Sequence, residues 1–169
     1  MSDEVLENEE LEEDTQKDMY MTFKSGNEYF AIGIQCVNEI IGFQTITEVP
    51  ETEDYIKGLI NLRGKIIPVI DVRLRFKQEP VEYTDRTCII VIEVKSTVVG
   101  LIVEKIADVV TIPQESITPP PSIGHRENAA NKYVYGIGKV KDEVKLLLDP
   151  DKLINDEDLN AFEEMMEEE

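Results

Sequence analysis

Asp71 and Asp149 are the side chains whose type and setting come nearest to acid–base chemistry. Each closes an apolar run, Ile66–Ile70 before the first and Val144–Leu148 before the second, and two carboxylates can divide the acid and base roles of a hydrolysis. The same setting has a structural reading. Each aspartate precedes a short segment that can turn helical, where its carboxylate accepts from the first free backbone N–H groups, and Asp149 is followed by Pro150 at the favoured first helical position. Capping is the reading the sequence favours. His125 is the single histidine, so neither a histidine metal cluster nor a Ser/His/Asp triad is expected on it, and Gly136-Ile137-Gly138 lacks the rest of a phosphate loop. Cys36 and Cys88 lie in apolar runs without CxxC or Cys/His spacing and read as buried free thiols. No catalytic residue, metal or cofactor is expected.

Arg63 offers recognition instead. It sits with Gly64 and Lys65 in a turn between two apolar runs, where a guanidinium can project and take a partner carboxylate in bidentate fashion; the alternative is a solvated turn residue. Gly64 reads as a residue that permits the turn backbone.

Strands must carry these residues. Met19, Met21 and Phe23 alternate with polar neighbours, Ser25-Gly26-Asn27 turns the chain, and Phe30, Ile32 and Ile34 resume the period of two, which predicts a hairpin. Val37–Phe43 follows as a third strand. Glu51–Gly58 has acids in its first turn, Lys57 in its last and Gly58 at its end, the pattern of a short helix. Leu59–Leu62 and Ile66–Ile70 read as a second hairpin, with Pro68 expected at an edge or bulge because it cannot donate to a ladder. Thr87–Val94 is almost continuously apolar, as for a strand covered on both faces. Further strands are expected at Val98–Val103, Ala107–Ile112, Tyr133–Val140 and Val144–Leu148, with a Pro-rich connection at Pro119–Pro121. After Asn155, Leu159, Phe162 and Met166 share one face of an acidic helix that either docks on the body or stays loose.

The chain also resembles itself. Phe30–Ile41 aligns without a gap on Val99–Val110, so that Glu39 meets Asp108; Gly58 and Gly136 each open a strand, Lys65-Ile66-Ile67 loosely matches Lys145-Leu146-Leu147, and Asp71 matches Asp149. Two similar β units are implied, each too small to bury a large core alone.

The net charge of −19 comes from the ends. Residues 1–18 hold nine acids and one Lys and residues 156–169 hold eight acids, which leaves nineteen acids and sixteen bases in 19–155, a body of −3. Dense basic clusters are lacking, so general binding to nucleic acid or anionic lipid is not expected. Without Trp or aromatics interleaved with Lys/Arg, a single-strand nucleic-acid binder is disfavoured too. The longest apolar runs, Cys88–Val94 and Val98–Val103, fall far below the ~20 residues of a membrane span, so no direct membrane insertion is expected. The acidic N-terminus does not read as a secretory signal, and a cytoplasmic protein is the expectation.

The block Gly58–Phe76, GLINLRGKIIPVIDVRLRF, resembles the signature of CheW-type chemotaxis coupling proteins, and the likeness extends over residues 19–155 through the first hairpin, Val37–Ile41, Tyr55–Gly58 and Val98–Val110. The same domain also occurs fused to kinase or receiver modules, for which this chain has no room, so a stand-alone coupler is expected. The resemblance implies a mainly β fold of two SH3-like β-barrel subdomains related as a pseudo-repeat, with short helices and an acidic C-terminal helix. The expected division is an acidic tail over 1–18, a CheW-like domain over 19–155 and a helix or tail over 156–169. Within the domain, subdomains of about 19–86 and 87–155 are expected, with a chain crossover between them possible. The implied function is that of a non-enzymatic adaptor. Its implied partners are the regulatory domain of the CheA-type histidine kinase and the cytoplasmic hairpin tip of chemoreceptors. The residues carried over are Val37, Glu39 and Ile41 near the subdomain seam, Arg63 and Gly64 at the turn, and Val103, Ile106 and Val109 for a receptor groove; core is the alternative for Val37 and Ile41. An interaction module serving another kinase pathway, or a small hydrolase using Asp71 or Asp149, stays open beside it.

Overall fold

A computed structural model describes residues 17–120 and 132–167. The expected acidic tail as far as residue 16, and His125, lie outside the described residues.

Among the described residues eleven strands form two sheets. Strands β1 (Met19–Ser25) and β2 (Glu28–Gly33) make the first hairpin, and β3 (Val37–Gly42) follows a short 3-10 turn at Ile34–Cys36. β4 (Ile56–Leu62) and β5 (Lys65–Asp71) form the second hairpin, followed by one helical turn, α1 (Val72–Arg75). β6 (Cys88–Val94), β7 (Thr97–Val103) and β8 (Lys105–Thr111) come next, then the two-residue β9 (Ile117–Thr118), β10 (Val134–Val140) and β11 (Glu143–Leu148). Two helices end the described chain, α2 (Pro150–Leu153) and α3 (Asp156–Glu167).

The strand orders are β8-β1-β2-β11-β10-β9 and β3-β6-β7-β5-β4. Neither sheet closes into a barrel through the ladders formed among the described residues. The sheets do not follow a boundary at 86/87: β1 and β2 join the late strands β8–β11, while β6 and β7 join β3–β5. The chain crosses once between β2 and β3 and returns between β7 and β8. The Phe30–Ile41 and Val99–Val110 segments are these two crossings. Exchange makes the units interdependent, because the largest core draws Phe23, Phe30 and Ile32 from one sheet and Ile70, Ile90 and Leu101 from the other. Smaller cores sit on the opposite face of each sheet, Ile60, Ile67, Val69, Ile89, Val91 and Ile102 in one, Tyr20, Ala31, Ile112 and Leu147 in the other. β6 alternates between two cores, which explains its continuous apolarity.

The pseudo-symmetry extends to single bonds. Asp71 N–H donates to the Tyr55 carbonyl and Asp149 N–H to the Tyr133 carbonyl, both at 2.8 Å. β4 and β10 carry matching register shifts just before Gly58 and Gly136. The ladders correct one part of the sequence alignment. Leu62 faces Lys65 across one hairpin as Val140 faces Glu143 across the other, so Lys65 corresponds to Glu143 and Ile67 to Lys145.

Three local expectations also change. Glu51–Gly58 forms turns and the start of β4, not a helix. Glu51 adopts φ 65°, and Gly58 serves a close approach instead of a helix end: a Cβ there would lie 2.0 Å from the Thr47 carbonyl oxygen. Thr47 and Leu59 exchange two backbone bonds at that point. Pro68 lies in β5, an interior strand, but the β7 ladder covers only Val69–Asp71 and the missing donor falls beyond it. On α3, Asp158, Phe162 and Met165 are the buried side chains, whereas Met166 is exposed. The helix docks, rotated by about one residue from the expected face.

Candidate binding surface

β3 and β8 are edge strands at equivalent places in the two sheets, and each carries a bulge. A bulge turns side chains out of the regular alternation, and here it places Glu39 and Asp108. Their environments differ. Asp108 Oδ1 accepts from the buried Thr22 hydroxyl at 2.8 Å, and that hydroxyl oxygen accepts from Asp108 N–H at 3.0 Å. Val91 takes the place of Thr22 opposite Glu39 and offers no hydroxyl. The Glu39 carboxylate turns instead to the β4–β5 turn, where Oε1 accepts from Arg63 Nη2.

That turn has two central residues, Arg63 at φ 53° and Gly64 at φ 86°, both in the left-handed region that suits the twist of a tight hairpin. The Arg63 side chain remains 71% exposed. An exposed ion pair of this kind contributes about 1 kcal/mol or less, so it orients the guanidinium more than it stabilises the fold. Beside it opens a concavity of about 470 Å³ whose lining includes Asn38, Glu39, Leu62, Arg63, Val91 and Val98.

The other residues carried over from the sequence separate into packing and surface. Val37 is half-buried against the shared core and Ile41 against the core of its own sheet. Val103 is 3% exposed and belongs to the shared core, so its side chain is not on an accessible groove; Ile106 packs half-buried against the same core. Gly64 and Val109 are exposed. Sequence reasoning passed over Ile40, Ile66 and Val144, all exposed apolar side chains. Ile40 corresponds to Val109 on the edge strands, and Ile66 to Val144 beside the hairpin turns. Only strand parity could have shown this, and the uninterrupted apolar runs hide it.

The aspartates cap. Asp71 Oδ1 accepts from Arg73 N–H at 2.9 Å and Leu74 N–H at 3.3 Å, while Oδ2 accepts from the Tyr83 hydroxyl at 2.7 Å. Burial, and then this bond to Asp71, pushes the Tyr83 phenol well above its usual range. Asp149 Oδ1 accepts from Asp151 N–H at 3.0 Å. Both cysteines are free and partly exposed, not fully buried. Burial pushes the Cys36 thiol up to about 11, which keeps it protonated and unreactive near neutral pH.

Fold and surface together define a two-sheet β scaffold with exposed polar and apolar groups at its strand edges and hairpin turns. The chain belongs to the CheW-like domain family, whose model matches residues 19–158. It is 36% identical to the chemotaxis protein CheW of Klebsiella aerogenes over 140 residues, 83% of each chain. It is 41% identical to the chemotaxis protein CheW of Bacillus subtilis over 107 residues, covering 63% of this chain and 68% of that one. The crystal structure of the scaffolding protein TtCheW from Thermoanaerobacter tengcongensis superposes with a TM-score of 0.75 at 32% identity, covering 84% of this chain and 95% of that one. Among the described residues no helix is long and apolar enough to cross a membrane.

Proposed function

We propose that this protein is a non-enzymatic chemotaxis adaptor, acting in the cytoplasm, that couples the cytoplasmic hairpin tip of chemoreceptors to the regulatory domain of a CheA-type histidine kinase. The observation that carries the reading is the Glu39–Arg63 pair: an oriented, largely exposed guanidinium at a hairpin turn, beside a concavity lined in part by the apolar Leu62, Val91 and Val98. A charged group held in place among apolar neighbours is what a protein–protein hot spot requires. The second sheet offers an equivalent edge of different chemistry, with Ile106 and Val109 on β8 and Asp108 engaged by Thr22 instead of by a turn cation. Two pseudo-equivalent surfaces of different chemistry suit an adaptor that holds two partners at once. Capping roles for Asp71 and Asp149 weigh against the hydrolase reading.

Reconstitution with a kinase and a receptor hairpin fragment from the same organism tests the proposal. The wild type is expected to form the ternary assembly and raise kinase activity, and Arg63→Glu to impair both while keeping the fold. Full assembly and activation by Arg63→Glu would remove Arg63 from the surface, and no binding by the wild type would end the adaptor reading.

A further inference from the structure

Arg63 occupies a position that costs it backbone strain. In a two-residue hairpin turn the first central residue sits in the left-handed region, which Asn, Asp or Gly enter far more readily than Arg. Arg63 nonetheless has φ 53°. The two-residue turn itself demands this φ, and the strand before it adds a further tie. Asn61 Oδ1, from the exposed face of β4, accepts the Gly64 N–H at 2.8 Å. The side chain thus reaches across the turn and ties down its second central residue. At the equivalent place in the β10–β11 hairpin stands Lys139, which has donors only, so the equivalent bond to Asp142 N–H is not available there, and Lys141 takes φ 57° without it.

We propose that Asn61 is a positioning residue for Arg63. Asn61 fixes the backbone from which the guanidinium leaves, and Glu39 fixes the guanidinium through one of its N–H groups. These restraints come from two different strands, and between them they select one direction of approach. Among the described residues Arg63 engages one of its N–H groups, and its side chain is 71% exposed, so a carboxylate of the partner protein can join without displacing either restraint. A long side chain ordered before binding loses less freedom on binding, and preorganisation of this kind appears as affinity. The inference rests on the adaptor reading only for the identity of that partner.

The test is a double-mutant cycle between Asn61→Ala and Arg63→Ala, with Asn61→Asp as the variant that keeps the acceptor. Binding is measured with the kinase regulatory domain and the receptor hairpin fragment separately, and exchange of the Gly64 amide hydrogen is followed without any partner. Asn61→Ala is expected to speed Gly64 exchange, to weaken binding of the partner that Arg63 contacts by about three- to tenfold, and to change nothing further once Arg63 is Ala. Asn61→Asp is expected to hold Gly64 protection and affinity within about twofold of wild type. Equal weakening by Asn61→Ala with and without Arg63 would overturn the positioning role, as would unchanged Gly64 exchange or unchanged affinity while Arg63→Ala still weakens binding. If Arg63→Ala itself leaves both affinities intact, the Arg63 contact and the positioning role fall together. If the wild type binds neither partner, the adaptor reading falls with them.

Discussion

Arg75 Nη2 donates to Asp158 Oδ2 at 2.8 Å, joining the helical turn after β5 to the first turn of α3, with side chains only 7% and 2% exposed. The guanidinium lies 4.3 Å from the Tyr55 ring centroid and 5.1 Å from that of Tyr133, the two tyrosines that occupy equivalent places in the two halves. Its Nε–H donates to the Leu153 carbonyl at 3.1 Å. Asp158 also accepts from the Tyr55 hydroxyl and, at 3.0 Å, from Asn155 N–H. One buried cation therefore ties both halves and the C-terminal helix together. Removing its counter-ion leaves a largely buried charge without its partner. Asp158→Ala is expected to destabilise the fold by about 3–5 kcal/mol, and Arg75→Met, which strands the carboxylate, by a similar amount. The double substitution should cost much less than the sum. Urea unfolding of the four proteins checks this, and additive losses would contradict the coupling.

The two helix caps are equivalent in sequence but not in their bonds. Asp71 is 5% exposed and accepts from two backbone N–H groups and the Tyr83 hydroxyl, whereas the more exposed Asp149 accepts from one backbone N–H. Asp71→Ala should lower stability by about 2 kcal/mol and Asp149→Ala by about 1 kcal/mol or less. Thermal melts of the two variants, each compared with wild type, decide the order.

Gly58 and Gly64 both have positive φ, 143° and 86°, but only Gly58 faces a backbone atom inside contact distance. Gly58→Ala is expected to cost about 2–4 kcal/mol, because the Thr47 carbonyl is held by its own bond to Leu59. Gly64→Ala, which opens onto free space, should cost only the conformational strain of about 1 kcal/mol. Chemical denaturation measures both, and equal losses would count against steric approach as the cause.

Stability should decline at alkaline pH. Burial lifts the Cys36 thiol from 9.0 to about 11. The Tyr55 and Tyr135 phenols are also held above their ordinary 10.0, first by burial and then by hydrogen bonds to Asp158 and Tyr20 respectively; Tyr83 behaves likewise. A group whose proton is bound more tightly in the folded state contributes its stability in full below the unfolded value and loses it as pH climbs toward the folded one. The urea midpoint should therefore hold up to about pH 9, fall between 9 and 11 as the Cys36 contribution is lost, and fall further above 10 as the tyrosines join. Tyrosinate absorbance at 295 nm, followed beside the midpoint, should show a late phase that coincides with unfolding. A midpoint as high at pH 11 as at pH 8 would contradict it.

Much of this molecule is set by local sequence. Alternation fixes β1 and β2, the two-sided apolarity of Cys88–Val94 fixes a central strand, and Asp149-Pro150 fixes a capped helix start, because each depends on neighbours a few residues away. Even the repeat is readable, since equivalent strands need equivalent patterns. Which sheet each strand joins was decided only by tertiary structure: β1 and β2 join the late strands, and β6 and β7 the early ones, because their apolar faces complete a shared core that neither half could enclose alone. The surface divides in the same way. Arg63 was visible as a turn residue, but its bond to Glu39 depends on a bulge in an edge strand, and the contrast between Glu39 and Asp108 turns on whether the strand opposite supplies Thr22 or Val91. Val103 and Val109 look alike in sequence, and only register puts one in the core and leaves the other in solvent. A strand's pattern fixes that it has two faces; what each face meets is a property of the assembled sheets.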